Sequence, residues 1–357
     1  MSAWARQAGM VQGMKHNLLT LIFALACASM GASANAQQGV YSGKTITIVV
    51  GSDAGAGHDA YGRLVGRHIG KHIAGAPNVI VQNQPGAGSL TMVNALAVSG
   101  AKDGSVIGAP QSSVAFERLL HILSPGGAAA QFDATKLNWL GTAAQDTFVA
   151  LGWGKGRIQS TSDLLSKEFV VSASGPNTDG YLVVTMLNKL LGTRIRPISG
   201  YKGTGPQLLA LERGEVDGAA MSFSTVSVQR PNLLRDKDIV ILLQVGREKH
   251  PDLRDVPLLS ELMKTDEDRV VLSIIFDKYQ MGRSFFVPPG VPEERVVALR
   301  RAFDATMKDS ALLSEAAAQK LEVNALSGED VQALVTRLYA TPENLVKKAR
   351  DLLAAAK

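Results

Sequence analysis

The sequence predicts an α/β protein with two domains, and three observations support this fold class. Short runs of β-branched residues alternate with amphipathic helical patterns along most of the chain. Glycine-rich turns join a strand to a helix twice, at residues 51–57 and 201–205. The chain has 357 residues, of which 46% are hydrophobic, and this is sufficient for two ordinary cores.

The first part of the chain consists of strand–helix pairs. An apolar β-branched run at 45–50 precedes apolar residues at helical spacing over 59–71. The same patterns predict strands at 79–82 and 105–108 and helices at 89–98 and 114–122. Repeated strand–helix units favour parallel strands with right-handed crossovers, so we expect mainly parallel sheets flanked by helices.

The second part repeats this arrangement and then becomes mostly helical. We expect strands at 139–141, 148–153, 169–173, 196–199, 215–220, 239–244 and 284–287, and helices at 181–191, 207–213, 292–307, 311–319, 328–340 and after 341. We assign residues 41–151 plus 247–357 to domain 1 and residues 152–246 to domain 2. The chain then crosses between domains near Leu151 and Gly246.

Residues 1–36 are predicted to be a secretory signal peptide. Arg6, Lys15 and His16 precede a short apolar run at 18–30, and small residues suited to cleavage follow. Cys27, the only cysteine, lies in the apolar run and is interpreted as part of it, with lipidation as the open alternative. We therefore expect a periplasmic protein without disulfides. Loss of Arg6 and Lys15 lowers the formal charge of +5 by two, and no dense basic run indicates nucleic-acid binding.

The first glycine-rich turn has the chemistry of an anion site. A strand, a glycine turn and a helix together point free backbone N–H groups and the positive end of a helix dipole at a ligand. Residues 55–60 also match the dinucleotide pattern G-x-G-x-x-A. That pattern requires an acid after the next strand, and this strand ends in Gln82-Asn83-Gln84. A dinucleotide site is therefore disfavoured, and we expect no cofactor.

Three histidines are candidates for acid/base catalysis or metal binding. His58 beside Asp59 suggests an acid/base pair, but the preferred interpretation is that Asp59 caps the helix and His58 lies at the cleft edge. His68 and His72 are four residues apart and lack an obvious third ligand, so we expect packed histidines and no metal site. No G-x-S-x-G nucleophile motif is present.

The second glycine-rich turn, Tyr201-Lys202-Gly203-Thr204-Gly205-Pro206, has the same physical properties as the first. A carboxylate could be held there by backbone N–H groups, by the Thr204 hydroxyl and by water. Lys202 is close enough in sequence to contribute its charge. Two such turns in successive units favour a ligand site between them.

Several motifs together resemble a known family. They occur in one order from about Lys44 to Arg350, and each is modest alone. They are the glycine loop ending at Asp59, the Asn83-Gln84-Pro85-Gly86-Ala87-Gly88 turn, Asp103-Gly104, Tyr201-Lys202-Gly203-Thr204 with Gly214-Glu215-Val216-Asp217, Asp255-Val256-Pro257 with Glu261, and Pro288-Pro289-Gly290-Val291-Pro292. This order resembles the periplasmic substrate-binding receptors of tripartite tricarboxylate transporters, also called Bug receptors.

The resemblance implies a two-domain clamshell of the type II periplasmic binding-protein kind, in which two loops hold an organic anion. Carried over by position, it implies ligand contacts from both glycine turns and from three further strand ends. The residues are Ser52, Asp53, Ala54, Gly55, Ala56, Gly57, Asp59, Gln111, Ser112, Ser174, Asn177, Thr178, Tyr201, Lys202, Gly203, Thr204, Gly205 and Ser222. Asp53 departs from the family pattern because it adds a negative charge near the pocket mouth.

The expected function is therefore that of a monomeric solute receptor, not an enzyme. It would capture a small organic carboxylate between its domains and deliver it to the subunits of an inner-membrane transporter. Two alternatives remain open at this point. The protein could be an exported enzyme that uses His58 and Asp59, or a ligand sensor that signals to a membrane histidine kinase.

Overall fold

The computed structural model describes residues 39–121, 130–175 and 178–354. The predicted signal peptide, including Cys27, lies outside these residues. In this described part of the chain, eleven strands form two sheets, which we call sheet A and sheet B. The strands are β1 Thr45–Val50, β2 Asn78–Asn83, β3 Val106–Ala109, β4 Asn138–Thr142, β5 Phe148–Trp153, β6 Glu168–Ala173, β7 Arg194–Ser199, β8 Gly218–Ser222, β9 Ile239–Val245, β10 Ser284–Val287 and β11 Leu326–Ser327.

The described α-helices cover both sheets. They are α1 Gly57–Ile69, α2 Leu90–Ser99, α3 Glu117–Leu120, α4 Thr161–Ser166, α5 Asp179–Leu191, α6 Thr204–Glu212, α7 Phe223–Gln229, α8 Pro231–Arg235, α9 Asp266–Phe276, α10 Glu293–Met307, α11 Ser310–Ala318, α12 Gly328–Tyr339 and α13 Glu343–Ala354. None of these described helices is long and apolar enough to cross a membrane.

Both sheets are mixed, whereas the sequence predicted mainly parallel ones. Sheet A has the order β11-β4-β10-β3-β1-β2, and sheet B has the order β7-β6-β8-β5-β9. The pairs of β1 with β2 and β3, and of β6 with β7 and β8, are parallel as expected. β10 and β5 run antiparallel to both of their neighbours. β11, at the edge of sheet A, also runs antiparallel to its neighbour β4.

The sequence predicted most strand bounds closely, but several elements differ. The short elements α4, α7, α8 and β11 were not predicted, and the strand expected at 215–220 is β8, Gly218–Ser222. The helix expected at 114–122 is a 3₁₀ turn, Ser112–Phe116, followed by the short α3. Helix α9 was not predicted. Its start nevertheless has a sequence signal, because the Thr265 hydroxyl accepts a hydrogen bond from the Asp268 N–H, and acids fill the first turn.

The apolar core is continuous between the two sheets. One cluster of buried residues includes Val49 and Phe286 of sheet A together with Phe148 and Phe169 of sheet B. Two smaller clusters cover the outer faces of the sheets. In β1 the alternation of the sequence decides the faces, because Ile46, Ile48 and Val50 enter an outer cluster while Val49 enters the shared one.

The bounds of the two domains remain a proposal. The strand pairing and the packing favour chain crossings at positions that differ from the predicted ones. The first crossing was expected near Leu151, but that residue lies inside β5, which pairs within sheet B from Phe148 onwards. The second was expected near Gly246. Leu253 still packs in the outer cluster of sheet B. We therefore propose that the chain crosses between β4 and β5 and returns after Leu253.

Gly218 offers a test of the packing in sheet B. A Cβ atom there would lie 2.2 Å from the Leu151 carbonyl oxygen and 2.3 Å from the Phe169 ring. Since β5 and β8 would have to separate, we expect Gly218→Ala to lower the free energy of unfolding by about 2 kcal/mol or more. Gly246→Ala is the matched control, because its Cβ would meet no atom closer than 3.4 Å. Equal urea midpoints for both variants would contradict this packing.

Candidate functional site

The carboxyl ends of the parallel strands define one edge in each sheet. In sheet A, β1 and β3 end at the edge where antiparallel β10 begins. In sheet B, β6, β7 and β8 end at the edge where antiparallel β5 begins. Residues 143–147 link the end of β4 to the start of β5 and so connect the two edges. Ligands of open α/β sheets bind at such edges.

The loop after β1, which we call the first loop (residues 51–57), is held by Asp59. The carboxylate accepts hydrogen bonds from the Gly55 N–H at 2.8 Å, from Arg63 Nε at 2.9 Å and from Asn83 Nδ2 at 2.8 Å. Burial alone would raise the pKa of Asp59, but these bonds outweigh it and keep the pKa below its usual value. The predicted helix cap is wrong, because Ala56 occupies the cap position and Asp59 lies inside the first turn of α1.

Ser89 joins the first loop to the loop after β3. Its buried hydroxyl donates to the Gly51 carbonyl at 2.8 Å and accepts from the Gln111 N–H at 2.9 Å. Only glycine fits at residue 51, since a Cβ there would lie 2.3 Å from Ser89 Oγ. Ser89 occupies the cap position of α2 with φ of 76°, but its side chain makes no capping bond. The sequence predicted only a helix that begins at residue 89 and gave no sign of this bridge.

The edge of sheet B contains a pocket of about 200 Å³, and five of its lining residues carry a hydroxyl group. Ser174, Thr178, Thr204 and Ser222 lie in its wall. Gln207 Nε2 donates to Ser174 Oγ at 2.8 Å and so orients one of these hydroxyls. Thr204 is the first residue of α6 and follows a glycine with φ of 90°, a conformation that side chains rarely adopt.

Asp146 lies on the segment between the two edges. Its Oδ1 accepts a hydrogen bond from Ser222 Oγ at 2.5 Å, and its N–H donates to the Tyr279 carbonyl at 2.8 Å. Burial raises the pKa of Asp146 to about 6, although the Ser222 bond and the Arg283 charge act in the opposite direction. This carboxyl group therefore changes charge near neutral pH.

His58 and Asp59 do not form the acid/base pair that the sequence suggested. Both Asp59 oxygens are occupied, Oδ1 by Asn83 and Oδ2 by Gly55 and Arg63. Burial, with a contribution from the Arg283 charge, lowers the pKa of His58 to about 3, so the imidazole is neutral at pH 7. A general base works best when its pKa lies near the working pH, so an imidazole with a pKa of about 3 and no carboxylate partner is too weak a base for this role.

His68 and His72 contact two different carboxylates. The Nε2 atom of His68 lies 2.6 Å from Glu315 Oε2, and that of His72 lies 2.8 Å from Asp309 Oδ2. These contacts attach α1 to α11 and to the residue before it. Within residues 39–121, 130–175 and 178–354, no group of three metal-binding side chains comes together.

Known proteins resemble this chain in both sequence and fold. A family model described as the tripartite tricarboxylate transporter family receptor matches residues 63–350. The chain belongs to this family. The resemblance inferred from the motifs is therefore confirmed, and the protein is a solute-binding receptor of a tripartite transporter. No curated protein matches the chain.

Three solved structures of such receptors share the fold. A TctC solute-binding protein from Polaromonas, without ligand, is 20% identical with a TM-score of 0.67, and the match covers 85% of this chain and 98% of that one. MatC from Rhodopseudomonas palustris with bound malate is 20% identical with a TM-score of 0.54, covering 87% and 98%. An adipate-bound protein of Rhodopseudomonas palustris is 20% identical with a TM-score of 0.56, covering 85% and 97%. The predicted two-domain fold class is thereby confirmed.

The receptor places the predicted site residues in two groups. Ser174, Thr178, Thr204 and Ser222 meet in the pocket of sheet B. A second group lies on the edge of sheet A and comprises Ser52, Asp53, Ala54, Gly55, Ala56, Gly57, Gln111 and Ser112. Among the described residues, no hydrogen bond joins the first loop to residues 201–205. Asn177 lies outside the described residues.

The remaining predicted residues differ in their surroundings. The Tyr201 side chain packs against the outer cluster of sheet B, with its hydroxyl 3.5 Å from Glu215 Oε2. Lys202, Gly203 and Gly205 are exposed to solvent at the same turn. Two functional candidates, Asp146 and Arg283, were not predicted, because an isolated acid or arginine has no sequence pattern that marks it.

The role of Asp59 in holding the first loop can be tested by replacing one carboxylate oxygen with an amide nitrogen. Asp59→Asn would place an amide N–H against a donor in either orientation, Asn83 on one side or Gly55 and Arg63 on the other, so we expect the free energy of unfolding to fall by about 2 kcal/mol. Asp53→Asn is the control, since Asp53 is exposed in the same loop. Urea unfolding at pH 7 compares them. An Asp59→Asn protein as stable as Asp53→Asn would show that these bonds contribute little.

The raised pKa of Asp146 predicts a pH-dependent stability. The native state holds a proton between the ordinary pKa of 3.8 and about 6, so its stabilising effect is complete below 3.8 and is lost as the pH rises through 6. Asp146→Asn keeps an acceptor for Ser222 without the charge. We expect it to match the wild type near pH 4 and to exceed it by about 3 kcal/mol above pH 7.

This prediction is checked by urea unfolding of both proteins at several pH values. His58 contributes an opposite slope, because its low pKa stabilises the native state above pH 6.5 and this effect is lost as the pH falls toward 3. Since His58 is present in both proteins, their difference isolates Asp146. A difference that does not vary with pH would refute the assignment.

Proposed function

We propose that this receptor is exported to the periplasm and captures a small organic carboxylate between the edges of sheets A and B. It then presents the carboxylate to the membrane subunits of its transporter, acting as a monomer. The observation that carries the proposal is the pocket of sheet B with its hydroxyl side chains, which lies at the edge that residues 143–147 connect to the edge of sheet A. The relatives with malate and adipate, both dicarboxylates, support this ligand class.

The backbone at both edges favours an anion. The first loop leads directly into α1, which has 13 residues, and the second glycine turn leads into α6, which has 9. The first N–H groups of a helix have no partner within the helix, and its dipole makes this end positive. Neither α1 nor α6 has a side chain that caps these groups, so they are free to bind an acid.

Capture between two edges provides a mechanism for signalling occupancy to the transporter. A ligand that contacts only one sheet has equal affinity for open and closed arrangements and shifts neither. A dicarboxylate that contacts both stabilises the closed arrangement by its additional contacts. The transporter would then distinguish loaded from empty receptor by shape.

Calorimetric titration with a panel of acids tests the proposal. The panel contains monocarboxylates, malate, adipate, citrate, aromatic acids and amino acids. We expect saturable binding of at least one dicarboxylate. Thr204→Val should weaken this binding by about 10- to 100-fold, because it removes a hydroxyl that can donate to a charged oxygen.

Thr341→Val is the control, because Thr341 precedes α13 and lies at neither edge. It should bind like the wild type. Absence of saturable binding to every acid of the panel would overturn the proposed function, whereas binding that Thr204→Val leaves unchanged would exclude only the pocket of sheet B.

A further inference from the structure

Arg283 lies at the edge of sheet A between the first loop and the segment that joins the sheets. It immediately precedes β10, and β10 begins at this edge because it runs antiparallel to β3 and β4. A Cβ atom on Gly57 would lie 3.7 Å from Arg283 Nη2. The guanidinium carbon is 5.2 Å from the centre of the Tyr61 ring. These contacts place the cation beside the predicted anion site.

Arg283 forms no direct ion pair within the described residues, and one acid that interacts with its charge is Asp146. The Nη1 of Arg283 donates to the Gly282 carbonyl at 2.7 Å. Its Nε–H is buried without a hydrogen-bond partner among these residues. A buried donor on a charged group is costly when it lacks an acceptor. The group therefore provides an unused site for an anion.

The polar groups around Arg283 also favour an anion site at this edge. Asp146 interacts with the Arg283 charge, but its Oδ1 is occupied by the Ser222 hydroxyl. The Oγ of Ser52 and the Nε2 of His58 are also buried without partners in the described structure. Both residues belong to the same edge as Arg283. Three polar atoms on this edge therefore have no hydrogen-bond partner among the described residues. A polar ligand could supply these partners.

Two lysines near the edges are less suitable than Arg283 for pairing with a carboxylate. Lys278 is buried and pairs with Asp179, with 2.5 Å between Nζ and Oδ1. Lys202 is exposed to solvent, where water and salt screen its charge. An arginine also presents a planar fork of N–H donors that matches two carboxylate oxygens, which an ammonium group does not.

We propose that Arg283 determines specificity by pairing with one carboxylate group of the captured solute. This inference rests on the proposed function and adds to it the residue that makes the receptor require an acid. With Arg283 in place, a neutral amide of the same shape would leave the cation and its Nε–H without a charged partner. The receptor then selects carboxylates over amides by the charge at one position.

This role predicts a stability effect that a structural arginine would not show. If Arg283 serves to bind a ligand, the empty receptor contains a cation without a direct ion pair. Replacing Arg283 with an apolar side chain should then not destabilise the protein. If Arg283 instead supports the fold, the same replacement should lower stability. The ligand-free protein therefore distinguishes the two roles without knowledge of the natural solute.

The experiment compares wild type, Arg283→Met and Arg283→Lys with Arg301→Met, which removes the same charge from an exposed position on α10. The probes are malate, adipate, and the monoamide and diamide of adipate, titrated by calorimetry. We expect Arg283→Met to weaken acid binding by about 10- to 100-fold. Arg283→Lys should retain part of the affinity, and Arg301→Met all of it. The wild type should prefer adipate over its diamide, and Arg283→Met should lose most of that preference.

Urea unfolding without ligand completes the test, and Arg283→Met is expected at the wild-type midpoint or above it. Unchanged acid binding and unchanged acid-over-amide preference in Arg283→Met would overturn this inference while leaving the proposed function intact. Weaker binding accompanied by a lower midpoint in both Arg283 variants would assign Arg283 to the fold and also overturn it. A wild type that binds no acid of either panel would overturn the proposed function itself.

Discussion

The whole arrangement depends on backbone pairing between the segment that leaves sheet A and the segment that returns to it. The Ala143 N–H donates to the Arg283 carbonyl at 2.9 Å, and the Arg283 N–H donates to the Ala144 carbonyl at 3.0 Å. A Cβ on Gly282 would lie 2.7 Å from the Ala144 oxygen, so the two segments approach too closely for a larger residue. This pairing extends the β4–β10 ladder into the segment that leads to sheet B.

Aromatic packing reinforces the same junction. The rings of Phe148 and Tyr279 stack with their centres 4.5 Å apart, and both belong to the core shared by the sheets. The ion pair of Lys278 with Asp179 connects the segment before β10 to the first turn of α5. The stack and the ion pair therefore hold the segment before β10 against the start of sheet B.

Charges at the edges have separate tasks. Asp59, which the sequence placed among the ligand contacts, uses its carboxylate to hold the first loop through Gly55, Arg63 and Asn83. Arg283 forms no direct ion pair within the described structure. The two charges therefore act differently: that of Asp59 holds the loop, and that of Arg283 has no direct acidic partner among the described residues.

The sequence alone determined the fold class, the family and the positions of strands, because these follow from local patterns. The bounds of β1, β5 and β10 were predicted to the residue, since β-branched and aromatic runs and their flanking turns are local features. Strand direction was decided by tertiary structure, because it depends on which distant strand lies alongside. The roles of Asp59, Asp146 and Arg283 were decided there too. A side chain's partners come from segments far apart in sequence, and only the folded chain shows whether a charge is already neutralised.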